Sequence, residues 1–324
     1  MIDRRRFLAS GLYGAGALAT GIYWQSRFGQ SGDPVVHHDP EGSALQVFPP
    51  DNAWNTPVTD APVDPLSALY ISTIGADTPL HPDFGTVWDG APLGIPYIYV
   101  HSSQPKVPVT FTYNDESDPG PYPIPDNAPI EGGPNSDGDR HVLVIDVDSH
   151  ILYELYNARK TSDGWSADSG AIYHLDSNKL RPAGWTSADA AGLPIFPGLV
   201  RYDELERDKA IRHALRFTCQ HTQRAYVYPA RHFASKSSNP SLPPMGMRVR
   251  LRADFDTSSF SSKPRIILKA LKEYGMFLAD NGGNWFLSGA PDPRWSDEVL
   301  HTLTRVHGRD FEVIRMDHIV RAGG

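Results

Sequence analysis

Apolar and polar positions alternate in short runs along most of the chain, and this pattern predicts a protein built mainly of β-strands. The clearest case is a pair of apolar, β-branched runs, residues 141–146 and 151–157, separated by a four-residue turn at 147–150. This arrangement is typical of a β-hairpin. Similar runs predict strands at residues 95–99, 107–113, 171–176, 211–218, 225–228, 247–255, 276–279, 284–287 and 311–316.

Two further strand pairings follow from short connections. Residues 95–99 and 107–113 are separated by a turn at 102–106, so we expect them to pair. Residues 276–279 and 284–287 flank the sequence Asp-Asn-Gly-Gly, and Asn-Gly is the commonest pair in tight hairpin turns. A structural role in that turn is therefore an alternative to a catalytic role for Asp280.

Three segments have the features of α-helices. Residues 64–74 begin with Asp64 as N-cap and Pro65 at the first position. Residues 262–274 carry one apolar stripe opposite a lysine-rich face. Residues 296–304 begin with Ser296 as a capping residue. Together the elements predict an α+β protein, mainly β, with an antiparallel β-sandwich or barrel-like core and two or three C-terminal helices, forming a single domain over residues 47–324.

Composition and charge narrow the classes of partner. The chain has 324 residues, 40% of them hydrophobic, which is enough for a sizeable core. The formal net charge is −8, and no basic run occurs after the first few residues, which excludes a nucleic-acid or anionic-membrane surface. Cys219 is the only cysteine, so an intramolecular disulfide is impossible, and we expect a buried, inert side chain.

The N-terminus contains the sequence Asp-Arg-Arg-Arg-Phe-Leu at residues 3–8, followed by a short apolar run at 9–22. It resembles a twin-arginine export signal, which implies a periplasmic or extracellular location for the rest of the chain. We expect cleavage after Ala19, within residues 1–24. The alternative is a retained anchor with Tyr23 and Trp24 at the membrane interface. Residues 25–46 are polar and predict a flexible linker.

The rest of the chain contains five short segments, DNAWN at 51–55, GDRH at 138–141, RHALRFT at 212–218, PARHFAS at 229–235 and YGMFLADNG at 274–282. With these segments it resembles a group of uncharacterised secreted bacterial proteins. The resemblance implies secretion and carries no activity with it. The chemistry is therefore predicted from residue types alone.

Aromatic residues and carboxylates together favour an enzyme that cleaves an extracellular polysaccharide. Seven tryptophans and fourteen tyrosines offer flat surfaces for sugar rings. Glycoside hydrolysis needs two carboxyl groups about 5 to 9.5 Å apart, one of them kept protonated. Glu154 lies in the middle of an apolar strand, where burial would raise its pKa, and is the candidate acid; an outward-facing carboxylate paired with an arginine is the alternative. The candidate partner carboxylates are Asp139, Asp176 and Asp280, while His141 and His174 are candidate catalytic residues for the lyase alternative.

A polysaccharide lyase is the nearest alternative. A lyase needs a base, such as a histidine, and an arginine that neutralises a uronate carboxylate. Residues 140–141, 212–213 and 231–232 are Arg-His pairs, although the alternation at His213 favours a core histidine. The candidate substrate-binding residues are Arg140, Trp185, Arg216, Arg231, His232 and Trp285.

No cofactor is predicted, but one ion site remains open. Asp137, Asp139 and His141 lie within five positions, and carboxylate and imidazole ligands suit several divalent ions. No diagnostic ligand spacing accompanies them. The contrasting class is a non-catalytic glycan-binding or envelope protein. In every case the expected partner is a polysaccharide or oligosaccharide, with no nucleic acid and no membrane contact beyond an N-terminal anchor.

Overall fold

Strands carry most of the regular structure in the computed structural model, which describes residues 36–38 and 44–321. The prediction of an α+β protein that is mainly β is confirmed. The proposed export signal and its cleavage site lie outside the described residues. Within the described part of the chain, no helix has the length and hydropathy needed to span a bilayer.

The elements have the following bounds. The strands are β1 (Val36–His38), β2 (Ala44–Gln46), β3 (His81–Asp83), β4 (Val87–Trp88), β5 (Ala91–Pro92), β6 (Tyr97–Val100), β7 (Val109–Phe111), β8 (Val142–Asp146), β9 (Ile151–Tyr156), β10 (Arg159–Lys160), β11 (Trp165–Ala167), β12 (Ser169–His174), β13 (Leu215–Cys219), β14 (Ala225–Val227), β15 (Arg248–Leu251), β16 (Met276–Asn281), β17 (Phe286–Ser288), β18 (Phe311–Val313) and β19 (Ile319–Arg321). The helices are α1 (Ser67–Ile74), α2 (Ser262–Glu273) and α3 (Asp297–His301).

The central hairpin forms as predicted, in a four-stranded sheet of order β12-β9-β8-β6. β8 and β9 are antiparallel and every residue of β8 is buried. β6 lies parallel to β8 rather than pairing with β7, so the predicted pairing of residues 95–99 with 107–113 is wrong. β7 instead pairs with β11, where Val109 packs in a separate apolar cluster with Trp165. Burial of that cluster, and not the short connection, decides the partner.

The second large sheet has the order β18-β15-β16-β13-β17-β3. β13 lies between β16 and β17, so the predicted hairpin of residues 276–279 with 284–287 does not form. β13 is buried along its whole length and takes a partner on each edge. The pairing of β13 with β16 is parallel, as is that of β6 with β8, so the sheets are mixed and not purely antiparallel. Asp280 therefore lies near the end of an interior strand.

The helices follow the sequence pattern closely, with one shift. α2 has its predicted bounds within one residue, and the Ser296 hydroxyl accepts a hydrogen bond from Val299 N at the start of α3. α1 begins three residues later than predicted. The Asp64 carboxylate accepts hydrogen bonds from Leu66 N and Met316 N, so it also ties the start of the helix to the C-terminal segment. α1 lies in the N-terminal half, which leaves two C-terminal helices.

The packed part of the chain begins before Val47. β1 and β2 form a small antiparallel ribbon, and Leu45 is buried in the main core. This placement corrects the expected boundary of the flexible linker at residue 46.

Candidate functional site

Six ionisable side chains gather in one part of the described structure. Arg216 and Asp280 come from interior strands of the second sheet, Glu131, Asp139 and His141 come from the chain between β7 and β8, and Asp189 lies in the loop after β12. We call them the carboxylate cluster: Glu131, Asp139, His141, Asp189, Arg216 and Asp280. In the parallel pairing of β13 with β16, Asp280 lies opposite Thr218, two residues from Arg216, and its charge helps to raise the pKa of Arg216.

A buried ion pair forms the centre of the cluster. The Arg216 guanidinium donates through Nε to Asp189 Oδ2 at 3.1 Å and through Nη2 to Asp189 Oδ1 at 2.7 Å, and its Nη1 donates to Ser288 Oγ at 2.5 Å. Burial raises the pKa of Asp189, and the charge of Arg216 opposes that rise. The Asp189 carboxyl is also hydrogen bonded to the carboxyl of Asp280.

A second pair lies beside the first. His141 Nδ1 is 2.6 Å from Glu131 Oε2, and His141 Nε2 is 3.0 Å from the carbonyl oxygen of Ala188. Burial alone would lower the pKa of His141, but the charge and hydrogen bond of Glu131, with a contribution from Asp139, raise it to about 9. Both ring nitrogens face acceptors, so His141 is an imidazolium at neutral pH.

Tyr156 lies close to two carboxyl groups of the cluster, those of Asp139 and Asp280. Burial raises the pKa of its phenol, and the charges of Asp139 and Asp280 raise it further. Tyr156, Asp139 and Asp280 are each partly exposed, whereas Asp189 is enclosed. The solvent-accessible side of the cluster therefore carries the carboxyl groups of Asp139 and Asp280, with the protonated phenol of Tyr156 close to both.

Glu154 is close to this cluster but has no access to solvent. Its side chain is fully buried and accepts backbone hydrogen bonds from Ile195 N and Phe196 N, both at 2.9 Å. Burial raises its pKa to about 7, in line with the sequence prediction, while the two N–H groups and His141 oppose the rise. The prediction that Glu154 contacts a sugar is wrong, because the loop containing Ile195 and Phe196 covers its side chain. The alternative of an outward-facing carboxylate does not fit either.

His174 and Asp176 lie away from the cluster. His174 is exposed at the end of β12 and pairs with Ile151, whereas the strand that follows His141 pairs with β9 at Leu155. Four residues of β9 separate these positions, which is about 13 Å at a rise of roughly 3.3 Å per residue. β12 ends before Asp176, which is exposed. The prediction that either residue joins Asp139 is therefore wrong; Asp137 is also exposed.

Two predicted substrate-binding residues have structural roles instead. Arg140 is buried and donates to the carbonyl oxygens of Ala158, Pro134 and Ser136, so it fixes the loop before β8. Trp285 is fully buried between parallel aromatic rings and donates through Nε1 to Gly75 O at 2.9 Å. Neither side chain reaches a ligand, because each is used in packing and in satisfying buried carbonyl groups.

Of the other four, Arg216 is buried against Asp189, so its predicted contact with substrate is wrong, and the remaining three border the loop that carries Asp189. His232 Nδ1 donates to Ala190 O at 2.8 Å, and Arg231 Nε donates to Arg181 O at 2.9 Å. The backbone of this pair is also bonded to Ala191 O. Trp185 lies 5.6 Å from the Arg181 guanidinium. All three are partly exposed and stay candidates for substrate contact.

Asp189 was missed as a candidate, although a signal was present. It is the single charged residue in the segment TSADAAGLPIF at 186–196. A lone carboxylate among small and apolar residues predicts burial, and a buried carboxylate requires a partner. Nothing in the sequence points to Arg216 as that partner. Predictions for two other residues are confirmed: His213 is a hydrogen-bonded core residue and Cys219 is buried.

Two clefts lie elsewhere, beside Tyr228 and Pro229. One is also lined by Lys179 and Arg181, and the other by Arg248 and His318. No residue of the carboxylate cluster lines either cleft. We place the candidate site at the cluster because it combines partly exposed carboxyl groups with a buried charge network, which the clefts lack.

No protein-family model, curated protein or solved structure matches this chain. The function is therefore argued from the cluster. Three of the five segments named from the sequence supply its members, since residues 138–141 contribute Asp139 and His141, residues 212–218 contribute Arg216 and residues 274–282 contribute Asp280.

Proposed function

We propose that the protein is an exported glycoside hydrolase that cleaves an extracellular polysaccharide with Asp139 and Asp280 as its carboxyl pair. The observation that carries the proposal is that Asp139 and Asp280 are both partly exposed beside one buried charge network, Asp139 next to Glu131 and His141 and Asp280 next to Asp189. Glycoside hydrolysis uses such a pair on the two sides of the scissile bond. Glu154, the candidate acid predicted from the sequence, is replaced by Asp280.

The surroundings assign a different role to each carboxyl group. Burial raises the pKa of Asp189, whereas its two hydrogen bonds from Arg216 and its interaction with Asp280 lower it, which supports Asp280 as the protonated member of this pair of carboxyl groups. Asp280 is then the general acid that protonates the leaving oxygen. Asp139 has the positive His141 nearby and acts as the nucleophile or base. Environments that separate the roles of two carboxyl groups are the usual basis of this chemistry.

The contacts of the arginines weaken the lyase alternative. A lyase needs an arginine free to neutralise a uronate, but Arg140 is bonded to three carbonyl groups and Arg216 to Asp189, which leaves the partly exposed Arg231 as the candidate for that role. Tyr156 is a poor base because its pKa is raised. The balance favours hydrolysis.

The test is activity of the purified protein on a panel of neutral and uronic polysaccharides. Asp280→Asn and Asp139→Asn should each lower kcat/KM by about 10²- to 10⁴-fold, the usual contribution of a positioned acid or base. Asp137→Asn is the matched control, since Asp137 is exposed in the same loop and should leave the rate unchanged. A product that absorbs in the ultraviolet as an unsaturated sugar would indicate a lyase. Retention of a polysaccharide without cleavage would indicate a binding protein.

Export is part of the proposal and has its own test. The paired arginines at residues 4–6 support recognition by the twin-arginine pathway. Replacing Arg4, Arg5 and Arg6 together by lysine should retain the full-length protein in the cytoplasm, as fractionation would show. Export of this variant at the normal level would contradict the assignment.

A divalent ion is a second candidate role for three members of the cluster. One ligand atom from each of Glu131, Asp139 and His141 lies within 4.8 Å of the others. The ring of His141 is oriented by the carbonyl oxygen of Ala188, which would leave Nδ1 directed at an ion once its proton is lost. Zn²⁺, Mn²⁺ or Ca²⁺ added after treatment with a chelator should raise the Tm of the wild type but not of Glu131→Gln. Equal Tm values with and without these ions would show that no ion binds, and that the site holds only the hydrogen bond between His141 and Glu131.

A further inference from the structure

We infer that Trp88 forms an outer sugar-binding subsite beside the carboxylate cluster, where it stacks against a pyranose ring of a bound polysaccharide. The inference rests on the proposed function and names a residue that extends the substrate site beyond the two carboxyl groups. It depends on the position of one hairpin, on the face of that hairpin from which Trp88 projects and on the exposure of its ring.

The hairpin is short and well fixed. β4 and β5 pair as Val87 with Pro92 and Trp88 with Ala91, and the two residues of the turn both have positive φ, 49° at Asp89 and 79° at Gly90. This is the pattern of the turns that suit two-residue hairpins. At its base, Gly85 N donates to Leu93 O at 3.0 Å. The ribbon therefore projects in a defined direction.

Strand pairing gives that direction for Trp88. Residues directly opposite each other in an antiparallel pair project from the same face, so Trp88 shares a face with Ala91. A β-carbon placed on Gly133 would lie 4.0 Å from the Cβ of Ala91. Gly133 follows Glu131 by two residues in the loop that leads to Asp139. The face that carries Trp88 is therefore directed toward the loop of the cluster.

The chain after the hairpin also reaches the cluster. Ile95 N donates to Gly289 O at 3.0 Å, which joins this segment to the residue following β17. The preceding residue, Ser288, accepts the hydrogen bond from Arg216. The hairpin therefore lies next to the loop of Glu131 through Ala91. The segment that follows the hairpin is joined through Ile95 to the end of β17, next to the residue that contacts Arg216.

The exposure of Trp88 sets it apart from most other tryptophans of the described chain. Its relative exposure is 73%, whereas Trp54, Trp165, Trp285 and Trp295 are buried in the core. An indole left in water keeps a large apolar face available for contact. A sugar ring is the occupant that this position favours, because a glycan bound across Asp139 and Asp280 continues along the surface and the apolar face of a pyranose matches a flat ring.

The experiment compares Trp88→Ala with Val87→Ala. Val87 is a matched control because it is 59% exposed on the same strand and projects from the opposite face. Trp88→Ala should raise KM on the polysaccharide by about tenfold, corresponding to about 1.4 kcal/mol, while the rate on a short aryl glycoside is unchanged. Trp88→Phe should restore most of the affinity, and Val87→Ala should behave as the wild type on both substrates.

Retention of the protein in gels containing the polysaccharide separates this inference from the proposed function. Asp280→Asn should be retained as strongly as the wild type, and the double variant with Trp88→Ala should lose that retention. If hydrolysis depends on Asp280 but Trp88→Ala has normal KM and retention, the subsite is overturned and the hydrolase stands. If no glycan is cleaved and retention still depends on Trp88, the subsite stands and the hydrolase is overturned.

Discussion

Asp280 shares a hydrogen bond with Asp189, a carboxylate whose charge is balanced by Arg216. One of the two carboxyl groups is enclosed and the other is partly exposed. The arrangement sets a partly exposed carboxyl group next to a buried ion pair. It explains why the chain tolerates ionisable groups inside the sheet, and each of the following predictions depends on that network or on the residues packed around it.

Removing the arginine of the buried pair should strongly destabilise the fold. Arg216→Met leaves Asp189 enclosed without a counter-charge, which costs about 3–5 kcal/mol of the free energy of unfolding. Chemical denaturation measures this change. Arg252→Met removes a surface pair with Asp254 and should cost at most about 1 kcal/mol. Equal effects of the two substitutions would show that the Asp189 pair is not buried in solution.

Glu154→Gln should weaken the loop around Ile195 and Phe196. The amide replaces the oxygen that also accepts from Ile195 N with an NH2 group that faces this N–H, so we expect a loss of about 1–3 kcal/mol. The pKa of Glu154 is raised to about 7 in the folded state. The folded state holds the Glu154 proton more tightly than the unfolded state does. The resulting stabilisation is complete below the unfolded pKa of about 4.3 and is lost as pH rises through 7. The difference in Tm between wild type and variant should therefore change between pH 4 and 8; a constant difference would contradict the raised pKa.

The pair of His141 with Glu131 gives a second pH dependence at higher pH. The pKa of His141 is raised from 6.5 to about 9, so its stabilisation is complete below pH 6.5 and disappears as pH passes 9. Glu131→Gln removes the charge that produces the shift and should flatten the decline of Tm over this range. Titration of the ring by NMR offers an independent check. A midpoint near 6.5 in the wild type would rule out the ion pair.

Cys219 should resist modification in the native protein. Its thiol is buried and burial raises its pKa to about 12, so almost no thiolate forms at pH 8. Alkylation with iodoacetamide should be slow until the chain is unfolded in denaturant, after which one equivalent should react. Rapid labelling without denaturant would mean that β13 opens in solution.

Several features follow from local pattern and could be read from the sequence. The central hairpin and the bounds of α2 depend on apolar periodicity and on turn residues within a few positions. Burial of Cys219 follows from the composition of its strand. Asp139 and His141 are candidates from the sequence because several ionisable groups fall within five positions before an apolar strand.

Other features depend on contacts between distant segments. The insertion of β13 between β16 and β17 moves Asp280 from an apparent turn into the sheet. The covering of Glu154 by the loop at 195–196 removes it from solvent. Residue spacing in the sequence predicts neither the insertion of β13 nor the covering of Glu154, because the partners of a strand depend on the apolar area that the whole chain buries.

By itself the sequence determined the class of fold, the main hairpin, two of the helices and the regions from which the polar residues come, since these depend on interactions between near neighbours in the chain. Only the tertiary structure decided which carboxyl groups meet. A buried charge needs an opposite charge close to it in space, and that partner can come from any part of the chain. Asp189 and Arg216 are far apart in the sequence, and the residues between them do not indicate the pairing.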